Sequence, residues 1–327
     1  MKIVVIGLGS MGKRRIRLLR QFDNTIEIIG IDSSSERQSL CTSEFQIHTY
    51  GAIEQISEKS EISSAFICTS PLSHHLIIRQ CLEQGWHVFS ELNLVDIGYT
   101  ENLALAKEKG LTLFLSSTFL YREEIKYITK EVKENQSKGN YLYHVGQYLP
   151  DWHPWEHYSN FFVGDKRTNG CREIMAIELP WLVEIFGKVI DINVRKDSMS
   201  SLNLSYPDNY LISLVHQSGY KGLFALDVVS RKAVRNFELF SENLYLSWDG
   251  TPQGLSKYVF ETKREEHITV YNDNCIDKQK GYSRTIIENA YYQEIVAFFE
   301  TISGQENPIY SFEKDLQIIA LMNMIEE

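Results

Sequence analysis

Cysteine is scarce in this chain, and no two cysteines stand at metal-ligand spacing. The five (Cys41, Cys68, Cys81, Cys171 and Cys275) are scattered, odd in number and remote from any C-x-x-C or Cys/His cluster. Cys68 and Cys81 sit in apolar strand and helix contexts and read as small core residues. The sequence therefore predicts a reduced, cytoplasmic protein without a structural metal. Long hydrophobic runs are also missing, which argues against a membrane span. The N-terminus begins directly with a core strand pattern, leaving no expected room for a signal peptide. Positive charge is in deficit: the formal net charge is −10, which argues against nucleic acid as the main partner. The basic cluster Lys13-Arg14-Arg15 with Arg17 and Arg20 reads either as help for a pyrophosphate or as a solvated helix face. Proline is rare (7 residues) and no low-complexity linker or repeat is present, so closely joined domains are expected.

What is present is concentrated at the start. An apolar strand, Lys2 to Ile6, runs into Gly7-Leu8-Gly9-Ser10-Met11-Gly12, and a second apolar run, Ile26 to Ile31, ends on Asp32. A strand, a G-x-G-x-x-G turn, a helix, a strand and a terminal acid form the fingerprint of a dinucleotide site. Gly7 permits the tight turn, Gly9 lets the backbone approach a pyrophosphate, and Gly12 lets the helix pack on the strand. The helix start at Ser10 and Met11 offers backbone N–H groups and positive potential to phosphates. Asp32 is placed to accept hydrogen bonds from the adenosine ribose, and its charge favours NAD over NADP. Ser33, Ser34, Ser35 and Arg37 are residue types that can hold a phosphate, so NADP is not excluded.

At 327 residues the chain is comfortable for two domains. Residues 1–120 alternate apolar runs with helical patterns, as five or six parallel strands in βαβ units require. The runs include Ala65 to Cys68, His87 to Ser90 and Leu111 to Leu115. Helices are expected over Leu76 to Gln84, closed by Gly85, and over Ile97 to Lys109, closed by Gly110. The pattern changes near Ser116. Over 121–327 the expectations are a charged helix (123–135), a strand (141–149), an aromatic loop (150–163) and a helix (171–186). Period-two runs from 189 to 272 then suit a large, mostly antiparallel sheet. Two amphipathic helices (283–302 and 311–326) finish the chain and are free to pack back on the first domain.

These motifs resemble the glucose-fructose oxidoreductase / inositol dehydrogenase (Gfo/Idh/MocA) family. The resemblance rests on Gly7 to Gly12 followed by Lys13-Arg14, and on Cys68-Thr69-Ser70-Pro71-Leu72-Ser73-His74 in place of the family's A-T-P-x-x-x-H. It rests also on Gly85 to Asn93 in place of G-K-H-V-x-x-E-K-P, and on the ending with Tyr291 to Phe299 and the helix from Ser311. It implies an α/β protein: an N-terminal Rossmann domain followed by an α+β domain with an open sheet. It implies an NAD(P)-dependent oxidoreductase of sugars, polyols or nucleotide sugars, assembled as a homodimer or homotetramer through that sheet. Carried over residue by residue, Thr69, Ser70, Pro71, His74 and Glu91 join the cofactor site. Arg122, with Tyr121, falls where the family's chain crosses into its second domain and touches substrate.

Two departures stand out. The family lysine of E-K-P is Leu92, which cannot donate a hydrogen bond, and the proline after it is Asn93. The family's G-G-x-x-x-D-x-G-x-H stretch reads Gly170 to Trp181, with Ile174 at the aspartate and Glu178 at the histidine; a one-residue slip places Glu173 at the aspartate. Glu178 has two readings: a desolvated base for the substrate hydroxyl, or half of a buried ion pair with Arg172 or another arginine. The loop Pro150-Asp151-Trp152-His153-Pro154-Trp155-Glu156-His157-Tyr158 is dense in aromatic and imidazole groups. Trp152 and Tyr158 are expected to stack on substrate, His153 and His157 to be alternative proton donors, and Arg172 to meet a substrate anion. The competing reading of loop and chain alike is a ligand-binding sensor or accessory protein without turnover.

Overall fold

The computed structural model describes residues 1–135, 137–154, 156–271 and 287–327. Trp155, Cys275 and the first residues of the helix expected from 283 lie outside them. Two compact units divide the chain: Met1–Ser117 with Tyr291–Gln317, and Thr118–Ala290 with Ile318–Glu327.

The first unit alternates strand and helix. Its elements are β1 (Lys2–Ile6), α1 (Ser10–Phe22), β2 (Glu27–Ile31), α2 (Ser35–Phe45), β3 (His48–Tyr50), β4 (Ile62–Ile67), α3 (His74–Glu83), β5 (His87–Ser90), α4 (Tyr99–Lys109) and β6 (Leu113–Leu115). All pairs are parallel, in the order β3-β2-β1-β4-β5-β6. The order reverses between β1 and β4, and ligands of such sheets bind at the carboxyl ends beside that switch. The strands read as near-continuous apolar runs because both faces are covered; Ile3, Val4, Val5, Ala65, Phe66 and Val88 are fully buried. A ladder of Phe66, Phe89 and Phe114 crosses three strands, and Phe298 packs edge-on against all three rings. Phe298 belongs to α7 (Glu288–Ile302), so a late helix supplies part of an early core.

The second unit holds α5 (Glu123–Glu134), β7 (Gly139–Gly146), α6 (Gly170–Phe186), β8 (Val189–Asp197), β9 (Asn209–His216), β10 (Lys221–Asp227), β11 (Val234–Ser241), β12 (Tyr245–Trp248), β13 (Ser256–Val259) and β14 (Arg264–His267). Its eight strands run β14-β13-β12-β11-β7-β10-β9-β8. Pairing is antiparallel except β7 with β10, which is parallel. One sheet face carries the large aromatics: Tyr141 stacks on Phe186 of α6, and Trp181 of α6 meets Tyr143 and Phe237 edge-on. The other face is open, with Leu142, Leu211 and Leu223 each more than 40 % exposed. The final helix, α8 (Phe312–Glu326), contributes residues to both units.

Candidate functional site: a dinucleotide turn and a buried carboxylate cluster

The glycines of the first turn are explained by what a side chain would strike. Gly7 has φ +93°, and a Cβ there would lie 2.6 Å from the Cys68 carbonyl oxygen, so the turn after β1 rides directly on the turn after β4. A Cβ on Gly12 would lie 1.9 Å from the Gly7 carbonyl oxygen. Gly9 differs: a Cβ there would meet nothing within 4 Å, so the protein itself does not demand a glycine. It is the N-cap of α1 and has no side-chain cap, leaving the first amides of that helix as donors. That open cradle fits a pyrophosphate.

Asp32 closes the site. Its Oδ2 accepts the Leu8 amide at 2.8 Å and its Oδ1 the Ser34 amide at 2.9 Å, which fixes the carboxylate at the end of β2. Arg37, largely exposed, holds one guanidinium nitrogen 3.7 Å from Oδ2. Each Asp32 oxygen retains a lone pair for a ribose hydroxyl.

His74 is 2 % exposed, with both ring nitrogens engaged. Nε2 lies 2.9 Å from the Thr69 carbonyl oxygen and must donate to it; Nδ1 lies 2.6 Å from the side-chain amide of Asn93. Burial pushes the pKa of His74 down, while its Nδ1 lies against the Asn93 side-chain oxygen Oδ1. His74 thus braces the Thr69–Pro71 turn, and Asn93, in place of the family proline, braces His74.

Glu91 is bound from within the unit. Arg15, fully buried on α1, donates through Nε to Glu91 Oε1 at 2.6 Å and through Nη2 to Glu294 Oε2 at 2.7 Å. Glu294, on α7, also accepts the Ser116 hydroxyl and the Ser117 amide. The basic cluster of α1 is accordingly divided: Lys13 pairs with Glu44, Arg14 lies over the Tyr291 ring, and Arg15 points into the unit. Arg15 therefore serves neither a solvated face nor a phosphate, because the buried carboxylates Glu91 and Glu294 take its charge.

In the second unit, Glu178 is fully buried and receives four donors. The Tyr143 hydroxyl and the Trp181 indole donate to Oε2 at 2.6 and 2.7 Å, and Arg235 donates through Nε and Nη2 to Oε1 at 3.0 and 2.7 Å. The desolvated free base expected from the apolar flanks is replaced by the ion-pair reading, with Arg235 as partner. Arg235 stands 57 positions away on a strand, and no local pattern shows it. Arg172 is turned to Glu326 and to Asn323 of α8, and Arg122 to Glu124 and to the Gly250 carbonyl. Both expected substrate arginines therefore spend donors on structure.

The aromatic loop is built from short 3₁₀ turns. His153 pairs with Glu156 and stacks on Phe161; His157, exposed, contacts the Ser159 hydroxyl. The Trp152 indole donates to the Gln147 carbonyl, and the Tyr158 hydroxyl to the Leu202 carbonyl. The loop is half-buried and internally bonded, with His157 the more open imidazole.

The profile of the Gfo/Idh/MocA oxidoreductase family, NAD-binding Rossmann fold, matches residues 1–116. The first 116 residues carry that family's NAD-binding domain. Biliverdin reductase A of Homo sapiens is 30% identical over 199 residues, covering 57% of this chain and 58% of that protein, so the chain spans less than two thirds of this relative's length. Among solved structures, UDP-N-acetylglucosamine 3-dehydrogenase GnnA from Acidithiobacillus ferrooxidans superposes with a TM-score of 0.78 at 15% identity, covering 100% of this chain and 96% of that one. Biliverdin reductase from Synechocystis sp. PCC 6803, in complex with biliverdin and NADP+, gives 0.73 at 17% identity, covering 99% and 97%. At such identities these likenesses establish the fold: a Rossmann sheet followed by a large, mostly antiparallel sheet. The family binds NAD, and the glycine cradle, the α1 amides and Asp32 are the residues that fit it. No helix among the described residues is long and apolar enough to cross a membrane.

Proposed function

We propose that this chain transfers hydride between a nicotinamide dinucleotide and a hydroxyl or carbonyl carbon of a sugar, sugar derivative or nucleotide sugar. The observation that carries the reading is the intact cradle of Gly7, Gly9, Gly12 and Asp32 within a family of oxidoreductases. When bound, the dinucleotide supplies or accepts the hydride. The chain's own residues divide the remaining work. Ser10, Met11 and Gly12 present amides to the pyrophosphate, Asp32 takes the ribose, and the Thr69–Pro71 turn, braced by His74 and anchored beside Glu91, lines the cofactor. Trp152 and Tyr158 offer faces to a sugar ring, and His157 offers an exposed imidazole. Arg122, Arg172 and Glu178 tie elements together within the second unit. The open sheet face, a concave cavity of about 740 Å³ lined by Leu142, His144, Leu211, Leu223 and Glu238 among others, is proposed to pair with a second copy.

A second substrate reading, reduction of biliverdin, is favoured by the 30% identity to the human enzyme of that name over 199 residues. One experiment separates the two. NADH and NADPH binding is measured by nicotinamide fluorescence, and turnover is then followed with UDP-N-acetylglucosamine plus NAD, and with biliverdin plus NADPH. Binding with turnover of the first supports the sugar reading, and turnover of the second replaces it. Binding with neither would favour a ligand sensor. Asp32→Ala is expected to weaken NADH roughly tenfold and NADPH less, since the variant loses ribose hydrogen bonds while also shedding a charge that repels the 2′-phosphate.

A further inference from the structure

β8 ends the eight-stranded sheet, and no described strand lies beyond it. A free edge is a template for another chain, and proteins blunt it with charges that repel a second strand. The opposite edge follows that rule. β14 carries Glu265 and Glu266 side by side and exposed, and centring a second copy on either glutamate opposes it with its own charge.

β8 is built differently. Asp191, Asn193 and Arg195 are exposed on the open face, opposite Val215, Ser213 and Leu211 of β9. Ile192 and Val194 are half-buried on the core face, opposite Leu214 and Ile212. Among the described residues, Asp191 and Arg195 make no ion pair. Their charged neighbours are engaged: Lys196 donates to the Ile325 carbonyl, and Asp197 accepts the Asn209 side-chain amide.

The two unpaired charges are opposite in sign and stand symmetrically, each two residues from Asn193. An antiparallel second β8 centred on Asn193 places Asp191 opposite Arg195 on both sides of the two-fold axis. Between these pairs, on the other face, Ile192 meets Val194. Cross-strand pairs of opposite charge stabilise a sheet, and like charges directly opposed destabilise it. Other centres fail that test: centring on Val194 opposes Asp191 with Asp197, and centring on Arg195 opposes it with itself. A slip of one residue turns the core face outward. The irregularity at Ile190, where β8 shifts register against β9, lies outside residues 191–195.

We propose that β8 is a self-complementary edge that pairs antiparallel with β8 of a second copy, about a two-fold axis at Asn193, joining two sheets into one. This seam differs from the covering of the open face proposed above, and it rests on that pairing. Residues 191–195 bury too little to hold two copies by themselves, whereas copies already paired by their faces present two seams at once. The expected assembly is a homotetramer, isologous at both contacts.

Crosslinking and sedimentation test the seam. Directly opposed residues of antiparallel strands stand about 4.5–5.5 Å apart at Cα, within disulfide reach. Asn193→Cys is expected to give a dimer band on a non-reducing gel after mild oxidation, with the wild type as blank for the native cysteines. Asp197→Cys should give none, because its two copies would lie about 27 Å apart along the paired strands. In sedimentation the wild type is expected as a tetramer, Asp191→Arg as a dimer, and Asp191→Arg/Arg195→Asp as a tetramer again, all with unchanged NADH binding. A wild-type dimer whose Asn193→Cys form stays uncrosslinked overturns the seam and leaves the face pairing standing. A tetrameric Asp191→Arg variant overturns the seam as well. A monomeric wild type defeats the face pairing; crosslinking of Asn193→Cys at raised concentration then decides the seam by itself, and no dimer band there overturns it.

Discussion

Two glutamates five positions apart on α6 meet opposite electrostatic fates. Glu178 is enclosed with a cation and two neutral donors, and removing its charge strands Arg235 in a buried position. Glu178→Gln is expected to cost roughly 2–4 kcal/mol in urea denaturation, with the double change Glu178→Met/Arg235→Met costing less because no charge is left unpaired. An unaltered midpoint for the glutamine variant would show that the pair contributes nothing. Glu173 Oε2 is enclosed with no hydrogen-bond partner among the described residues, and the carboxyl's effect on stability has a definite sign. The folded state holds its proton up to about 7, against an ordinary 4.5. Between those values the unfolded chain releases the proton and the folded chain keeps it, so stability falls as pH rises and the loss is complete above 7. Glu173→Gln removes that slope. Allowing for the solvent that reaches part of the side chain, the variant gains roughly 2 kcal/mol over wild type at pH 8 relative to pH 4.5. Parallel pH dependence of the two proteins would mean that Glu173 is not held neutral.

At the scale of elements, the glycine turn separates folding from binding. Gly12 faces the Gly7 carbonyl and Gly9 faces open space. Gly12→Ala is therefore expected to lower both the melting temperature and NADH affinity, because the turn must open. Gly9→Ala should leave the melting temperature of the free protein within a degree or two and still weaken NADH at least about tenfold. Thermal melts with and without NADH check both, and a Gly9→Ala variant with wild-type affinity would remove Gly9 from the pyrophosphate site. The elements themselves were largely legible. The charged helix read over 123–135 is α5, Glu123–Glu134, and the helix read over 171–186 is α6, Gly170–Phe186. Both carry strong start signals, acids in the first turn and an Asn cap respectively. The three-residue strand β3 was not legible, since His48–Tyr50 is too short for any period to show. The parallel pairing of β7 with β10 was equally hidden, because alternation along a strand reports its faces and not its neighbours.

At the scale of the molecule, each unit is completed by distant sequence. Glu294 and Phe298 of α7 enter the first unit's core, and Asn323 and Glu326 of α8 hold Arg172 in the second. Truncation before α7 would leave Arg15 with one carboxylate fewer and uncover the phenylalanine ladder. The open sheet face makes its prediction at this scale. If Leu142, Leu211 and Leu223 meet a second copy, Leu223→Arg is expected to shift the sedimentation coefficient to that of a monomer without changing NADH binding. A wild type that already sediments as a monomer would overturn the pairing.

The local code of the chain determined the phosphate and ribose end of the dinucleotide site by itself, because the glycine turn, the helix start and Asp32 all lie within the first 32 residues. A turn that excludes side chains, a helix start with unclaimed amides and an acid at a strand end are short-range features written in residue type. Only the tertiary structure decided what the carboxylates do. Whether a buried glutamate is charged and paired or held as the neutral acid depends on whether a cation arrives from another element. Arg235 arrives at Glu178 from β11, 57 residues on, and among the described residues nothing donates to Glu173 Oε2. Charge compensation is a long-range property, and spacing along the chain does not encode it.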